Sequence, residues 1–191
     1  MTDRLQMIRD HLRDLPDAAL PAAFHLRPYR PGDDRTWYDI HLKADRYTKL
    51  TSQRFVDEFG SDDELLAARQ LYLCDSQNGE PLGTATAWQD DDGAGRVHWV
   101  AIVPEAQGRG LAKPLLAAVC QRLAELGHQQ TRLTTQSPRI AAVNLYLRFG
   151  FRPDLRSAED VSIWQRLRAQ LKPEFHATID QAIAAFGAAS R

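Results

Sequence analysis

The chain has 191 residues, 43% of them hydrophobic and 26% charged, and its 24 lysines and arginines nearly cancel its 25 aspartates and glutamates. That is enough chain for one well-buried core and short for two, and the near-neutral balance gives no basic field to hold a nucleic-acid backbone or an anionic membrane, so any anion site must be local. The opening MTDRLQMIRDHL is charged throughout, no later run approaches spanning length, and the two cysteines, Cys74 and Cys120, lie in apolar segments. The expectation is a cytoplasmic protein with reduced core thiols.

Leu5, Ile8, Leu12 and Leu15 recur at helical spacing and stop before Pro16, which predicts an amphipathic helix in residues 1–20. FHLRPYR from Phe24 alternates like a strand. A helix carrying Trp37, Tyr38, Ile40 and Leu42 follows, then a second with Phe55, Val56 and Phe59. The run QLYLCDSQNGEPLGTATAWQDDDGAGRVHWVAIVP reads as an antiparallel meander of three strands, broken at Asn78-Gly79 and again between Asp92 and Gly95. LAKPLLAAVCQRLAELG puts Leu115, Leu116, Val119, Leu123 and Leu126 on one helical face and stops at Gly127. TRLTTQS is a further strand, and RIAAVNLYLRFGF a short helix ending at Gly150. A strand, helix, strand passage of this length implies a right-handed crossover and locally parallel strands. In SAEDVSIWQRLRAQL, Ser157 sits as a cap and Val161, Trp164, Leu167 and Leu171 are spaced helically; Phe175, Ile179, Ile183 and Phe186 line another helix after Pro173.

Chemistry concentrates at Gln107, Gly108, Arg109, Gly110, Leu111 and Ala112, between the apolar strand WVAIV and the long helix. A helix amino terminus presents unpaired amides and the positive end of its dipole, and glycine admits a ligand where a Cβ would stand, so a pyrophosphate fits. Taken alone, a glycine pair at a helix start is more often a plain turn. Here Gln107, Gly110 and Ala112 are joined by a second block, Ala142, Tyr146, Gly150 and Phe151. Together these motifs resemble those of the GCN5-related N-acetyltransferase superfamily, over roughly Phe24 to Pro153 and most closely from Val97 onward.

The resemblance implies a single α/β (α+β) domain whose mixed, mostly antiparallel sheet has splayed parallel central strands and flanking helices. The domain is expected over 21–156, followed by a helical tail over 157–191 that packs on the same domain or a partner. It also implies acetyl-coenzyme A as donor and no metal. Pantetheine would enter the gap between the splayed strands and pair with the backbone of Val100, Ala101 and Ile102 like an added strand. Amides from Gly108 to Lys113 would hold the pyrophosphate. The side chains of Arg109 and Lys113 are candidates for the ribose phosphate, with solvated surface cations as the alternative reading.

Tyr146 resembles the family's general acid: a phenol with an ordinary pKa of about 10 is protonated at neutral pH yet close enough in acidity to donate to a thiolate. The amide of Ile102 is the candidate oxyanion donor. His98 is the favoured base, because alternation puts it on the face of Val100 and Ile102 and the serotonin-acetylating relatives carry a histidine at the corresponding place; a packed histidine, water, or Glu105 are the alternatives. Two features depart from the pattern. The helix of Tyr146 has Arg139 where an asparagine often steadies pantetheine, and Asn144 points to the opposite face. The helical tail also stands where relatives place strands.

The acceptor amine is expected past the first two helices and the acidic loop Gln89 to Gly95, which would suit a cation. The expected partners are acetyl-coenzyme A and that amine, with neither nucleic acid nor membrane, and a homodimer is left open. The competing function is a non-catalytic acyl-coenzyme A binding module, against which Tyr146 argues. A nucleotide-phosphate domain would need a lysine followed by serine or threonine after the turn, or a Rossmann glycine triplet, and has neither.

Overall fold

The structure is a computed structural model and describes residues 2–189. Contacts group the chain into two compact units, Asp14–Gly127 on the one hand and Met1–Arg13 with His128–Arg191 on the other. Seven strands and seven α-helices form among the described residues.

In the unit Asp14–Gly127, β2 (Phe24–Pro28), β3 (Gln70–Asp75), β4 (Pro81–Gln89) and β5 (Gly95–Ile102) pair in that order, each antiparallel to the next. The meander is as expected, and its tight turns close where glycine takes positive φ: Gly79 donates to the Asp75 carbonyl and Gly93 to that of Asp90. Helices α1 (Asp33–Ala44) and α2 (Arg54–Phe59) form over the two aromatic runs. A third, α3 (Asp63–Arg69), capped by Asp62, was not read from the sequence because its one buried residue, Leu66, gives no periodicity.

Trp37 is fully buried and meets Phe55, Phe59 and Trp99 edge-on, so α1 and α2 share one aromatic cluster over one face of the sheet. Tyr72, on that face, donates its hydroxyl to the Asp33 carbonyl at the start of α1. The opposite face carries Leu71, Leu73, Ala85, Ala87 and Val97. Helix α4 (Ala112–Glu125) covers it with the predicted stripe Leu115, Leu116, Val119 and Leu123, all fully buried.

One irregularity reshapes β5. Thr86 pairs with His98 but Thr84 pairs with Ala101, so two steps on β4 match three on β5, and Trp99 takes φ 51°. This is a β-bulge, which reverses the alternation beyond it. His98 therefore shares the α1 face with Ala101, and not, as alternation alone predicted, with Val100 and Ile102.

In the other unit, β6 (Thr131–Gln136), β1 (Arg4–Arg9) and β7 (Arg152–Pro153) pair in that order, antiparallel. Residues 4–9 are thus a strand, which corrects the helix predicted within 1–20. Leu5, Met7 and Arg9 are buried in strict alternation, a period hidden in the sequence because the third inward residue is an arginine. The Arg9 guanidinium donates to the carbonyls of His11, Arg13 and Phe149. Phe149 is the last residue of the turn that ends α5 (Ile140–Arg148), so this cation also sits at the negative end of a helix dipole. Next to it Gly150 has φ 76°, and a Cβ there would lie 2.5 Å from Arg9 Nη1.

Beyond the two-residue β7 the tail is helical, as its spacing predicted. A capping box between Ser157 and Asp160 starts α6 (Ala158–Arg168), which buries Ile163, Trp164 and Leu167, and α7 (His176–Ala189) buries Ile179. Among the described residues no helix is long and apolar enough to cross a membrane.

Candidate active site

The glycine turn has the geometry expected of an anion cradle. Gly108 and Gly110 take φ 76° and 78°, and a Cβ at either would meet nothing within 4 Å, so the turn is open on its outer side. Alternating left-handed residues rotate successive amides toward one concavity. Helix α4 begins directly after the turn without a side-chain cap, which leaves its first amides for a ligand. These features fit an anion such as a pyrophosphate.

The side chains around the turn have different surroundings. Gln107 donates its Nε2 to the Ile102 carbonyl at 2.8 Å, so it anchors the turn to the end of β5. Leu111 is buried in the core and offers only its amide. The Arg109 guanidinium lies over the Phe24 ring, 4.6 Å from its centroid, while Lys113 is exposed in the first turn of α4.

At the end of β5, Val103 donates to the Leu82 carbonyl. Amide directions alternate along an antiparallel pair, so the amide and carbonyl of Ile102 point to the edge of β5 away from β4. Gly83 sits opposite Ile102 because a Cβ there would press within 2.8 Å of the Ala101 carbonyl.

His98 is 7% exposed and its Nε2 lies 2.8 Å from Glu58 Oε2 on α2. The pair borders a cavity of about 380 Å³, lined also by Trp88, Asp90 to Asp92 and Arg96. The bond to His98, helped by contacts with Trp99 and Arg54 and opposed by burial, pushes the Glu58 carboxyl down to about 2. Burial pushes the His98 imidazole below its ordinary range, against the pull of Glu58. At neutral pH the site therefore holds a carboxylate beside a neutral imidazole. Glu58 escaped the sequence reading, since a carboxylate on a short amphipathic helix is ordinarily solvated; the one signal was a histidine on a strand that needed a polar partner.

On α5, Tyr146 is 8% exposed and its ring meets Phe151 edge-on, 6.1 Å between centroids. Arg139 stands at the start of that helix with its Nε on Gln136 Oε1 at 3.1 Å. Asn144 faces away, as expected: its Oδ1 accepts the Lys172 amide and its Nδ2 donates to the Ile140 carbonyl. Its amide thus ties α5 to the start of the last helical segment.

Comparison with known proteins places these features in a family. The model of the acetyltransferase (GNAT) family matches residues 34–151. A mycothiol acetyltransferase of Pseudarthrobacter chlorophenolicus is 33% identical over 153 residues, 72% of this chain and 45% of that protein. One of Mycobacterium ulcerans is 31% identical over 169 residues, 77% of this chain and 53% of that protein. The chain thus spans about half the length of the curated relatives it matches. Among solved structures, a GCN5-related N-acetyltransferase from Sphaerobacter thermophilus superposes with a TM-score of 0.69 at 23% identity, over 80% of this chain and 49% of that one. The ribosomal-protein-S18-alanine N-acetyltransferase from Escherichia coli gives 0.55 at 21%, over 66% and 76%. Those two likenesses show the shared fold, and the family match extends from α1 through the Gly150-Phe151 turn. The chain belongs to the acetyltransferase (GNAT) family.

Proposed function

We propose that the chain is an acetyl-coenzyme A-dependent N-acetyltransferase in which donor and amine acceptor bind together and the amine attacks directly. The observation that carries this reading is the open glycine turn with two left-handed residues at the uncapped start of α4, lying inside the stretch matched by the family. Acetyl-coenzyme A supplies the acetyl group as a thioester. The amides of Gly108 to Lys113 hold its pyrophosphate, and the outward-turned backbone at the end of β5, from Val100 to Ile102, pairs with its pantetheine arm. The Ile102 amide donates a hydrogen bond to the carbonyl oxygen. Tyr146 Oη keeps the family's role of proton donor to sulfur, and His98 takes a proton from the acceptor. Arg139, at the start of α5, is assigned to the cofactor by its position in the family pattern.

The cavity beside His98 supports a cationic amine as acceptor, since four carboxylates and one guanidinium line it. Cys74 and Cys120 are buried thiols outside any disulfide, which supports a reducing compartment such as the cytoplasm. The test is a panel of amines, headed by the acceptors of the mycothiol acetyltransferases, assayed for thiol release and for acetylated product by mass spectrometry. Amine-dependent release of both is expected. Tight binding of acetyl-coenzyme A with no turnover on any amine would favour a binding module instead.

A further inference from the structure

The carboxylate beside His98 is itself held on both oxygens. Oε2 of Glu58 is 2.8 Å from His98 Nε2, and Oε1 is 2.9 Å from Arg54 Nη2 one helical turn back on α2. Arg54 rests over the Trp99 ring, 5.5 Å from its centroid. The imidazole plane is set by rings as well: Phe59 lies edge-on at 5.5 Å between centroids and Trp99 tilted at 5.9 Å. An ionised carboxylate can only accept, so the nitrogen facing it must carry the hydrogen, and a neutral imidazole has one hydrogen to place.

We propose that Glu58 is a positioning residue: it holds His98 in the tautomer with the hydrogen on Nε2 and the lone pair on Nδ1, so that His98 accepts the proton of the acceptor's ammonium group at Nδ1. The proposal rests on the acetyl-transfer reading above. In the step it describes, one ammonium N–H bond breaks and its electron pair stays on the amine nitrogen, which becomes the nucleophile. The new N–H bond forms at Nδ1, and the resulting imidazolium is balanced by the Glu58 carboxylate. The charged groups that act on His98 are Glu58 from α2, Arg96 from β5 and Asp90 from the adjoining loop. Arg96 is paired with Asp90 at 3.2 Å and Arg54 with Glu58 at 2.9 Å, and Asp91 and Asp92 line the same cavity; of these groups Glu58 is the one hydrogen-bonded to the imidazole.

Two measurements on the full chain test this. Nitrogen-15 NMR of labelled histidine should show the Nε2–H tautomer at His98, and Glu58→Ala should give a mixture of both tautomers. In amine acetylation, Glu58→Gln should lower kcat by about 10-fold to 100-fold, the range for an outer group that orients a working imidazole, with KM for acetyl-coenzyme A unchanged. It should also move the acid limb of the pH profile to lower pH, because losing the anion makes His98 harder to protonate. A lower melting temperature with an unmoved acid limb would mark Glu58 as merely structural and overturn the proposal. A mixed tautomer in the active, unaltered chain would overturn the role of Glu58 while leaving acetyl transfer standing. The expected tautomer in a chain that acetylates no amine would overturn the base role and the transfer reading together.

Discussion

The glycine turn and the His98 cavity lie on the same unit, yet they are built from opposite materials. The turn is backbone: exposed, with left-handed glycines and helix amides whose side chains do little beyond anchoring. The cavity is side chain: a buried imidazole, a carboxylate gripped on two sides, and aromatic walls. Backbone sites leave a spacing rule in the sequence, because only glycine tolerates the required φ and only a strand-to-helix junction supplies the amides. Side-chain sites depend on which residues the fold brings together, here Glu58 and His98 from 40 positions apart, and leave no such rule.

The largest effect should come from a side-chain role that leaves the backbone site intact. Tyr146→Phe keeps the buried ring and removes one hydroxyl, so kcat should fall by about 10² to 10⁴ while acetyl-coenzyme A affinity is retained. Steady-state kinetics with a confirmed acceptor, together with calorimetric titration of the cofactor, would check it. Unchanged turnover would remove Tyr146 from the chemistry.

The converse change strikes the backbone site. Gly110 has φ 78°, and Gly110→Val should abolish the rise in melting temperature given by acetyl-coenzyme A, a stabilisation of about 2.7 kcal/mol at a hundredfold excess over Kd. A variant that is folded and still shows the full shift would place the donor elsewhere.

A smaller effect is expected in stability against acid. The Glu58 carboxyl is depressed to about 2 from an ordinary 4.5, so its contribution is fully present above pH 4.5 and is lost as pH falls toward 2. His98 is depressed from an ordinary 6.5, so the unfolded chain takes up its proton more readily, and stability begins to fall below that pH. Glu58→Gln should remove the lower stage and keep the upper, a change on the order of 1 kcal/mol because water reaches the pair. Denaturant melts between pH 2 and 7 would separate the stages; a variant that follows the parent curve throughout would show the pair contributes nothing to folding.

What was legible in the sequence follows the same division. The meander, the long helix, the glycine turn before it and the capped tail were readable because each rests on a local period or a turn residue. The face of His98 was misread because a bulge at Trp99 has no sequence marker once the residue with positive φ is not glycine. Residues 4–9 were misread because an arginine occupies a buried strand position, where its guanidinium finds backbone carbonyls that only the folded chain supplies.

That first strand also sets a timetable for synthesis. β1 pairs Arg4 with Gln136 and Arg9 with Thr131, so this strand leaves the ribosome well before its partner β6 and has to wait for it. At about 5 to 20 residues per second the delay is roughly 6 to 25 s, long compared with the closing of a hairpin. Meanwhile RLQMIR is an unpaired strand with apolar residues in alternation, able to pair with the wrong edge. An arginine at each end discourages such pairing in the nascent chain, and once Phe149 and Gly150 have emerged, the arginine at position 9 becomes the buried clamp on the end of α5.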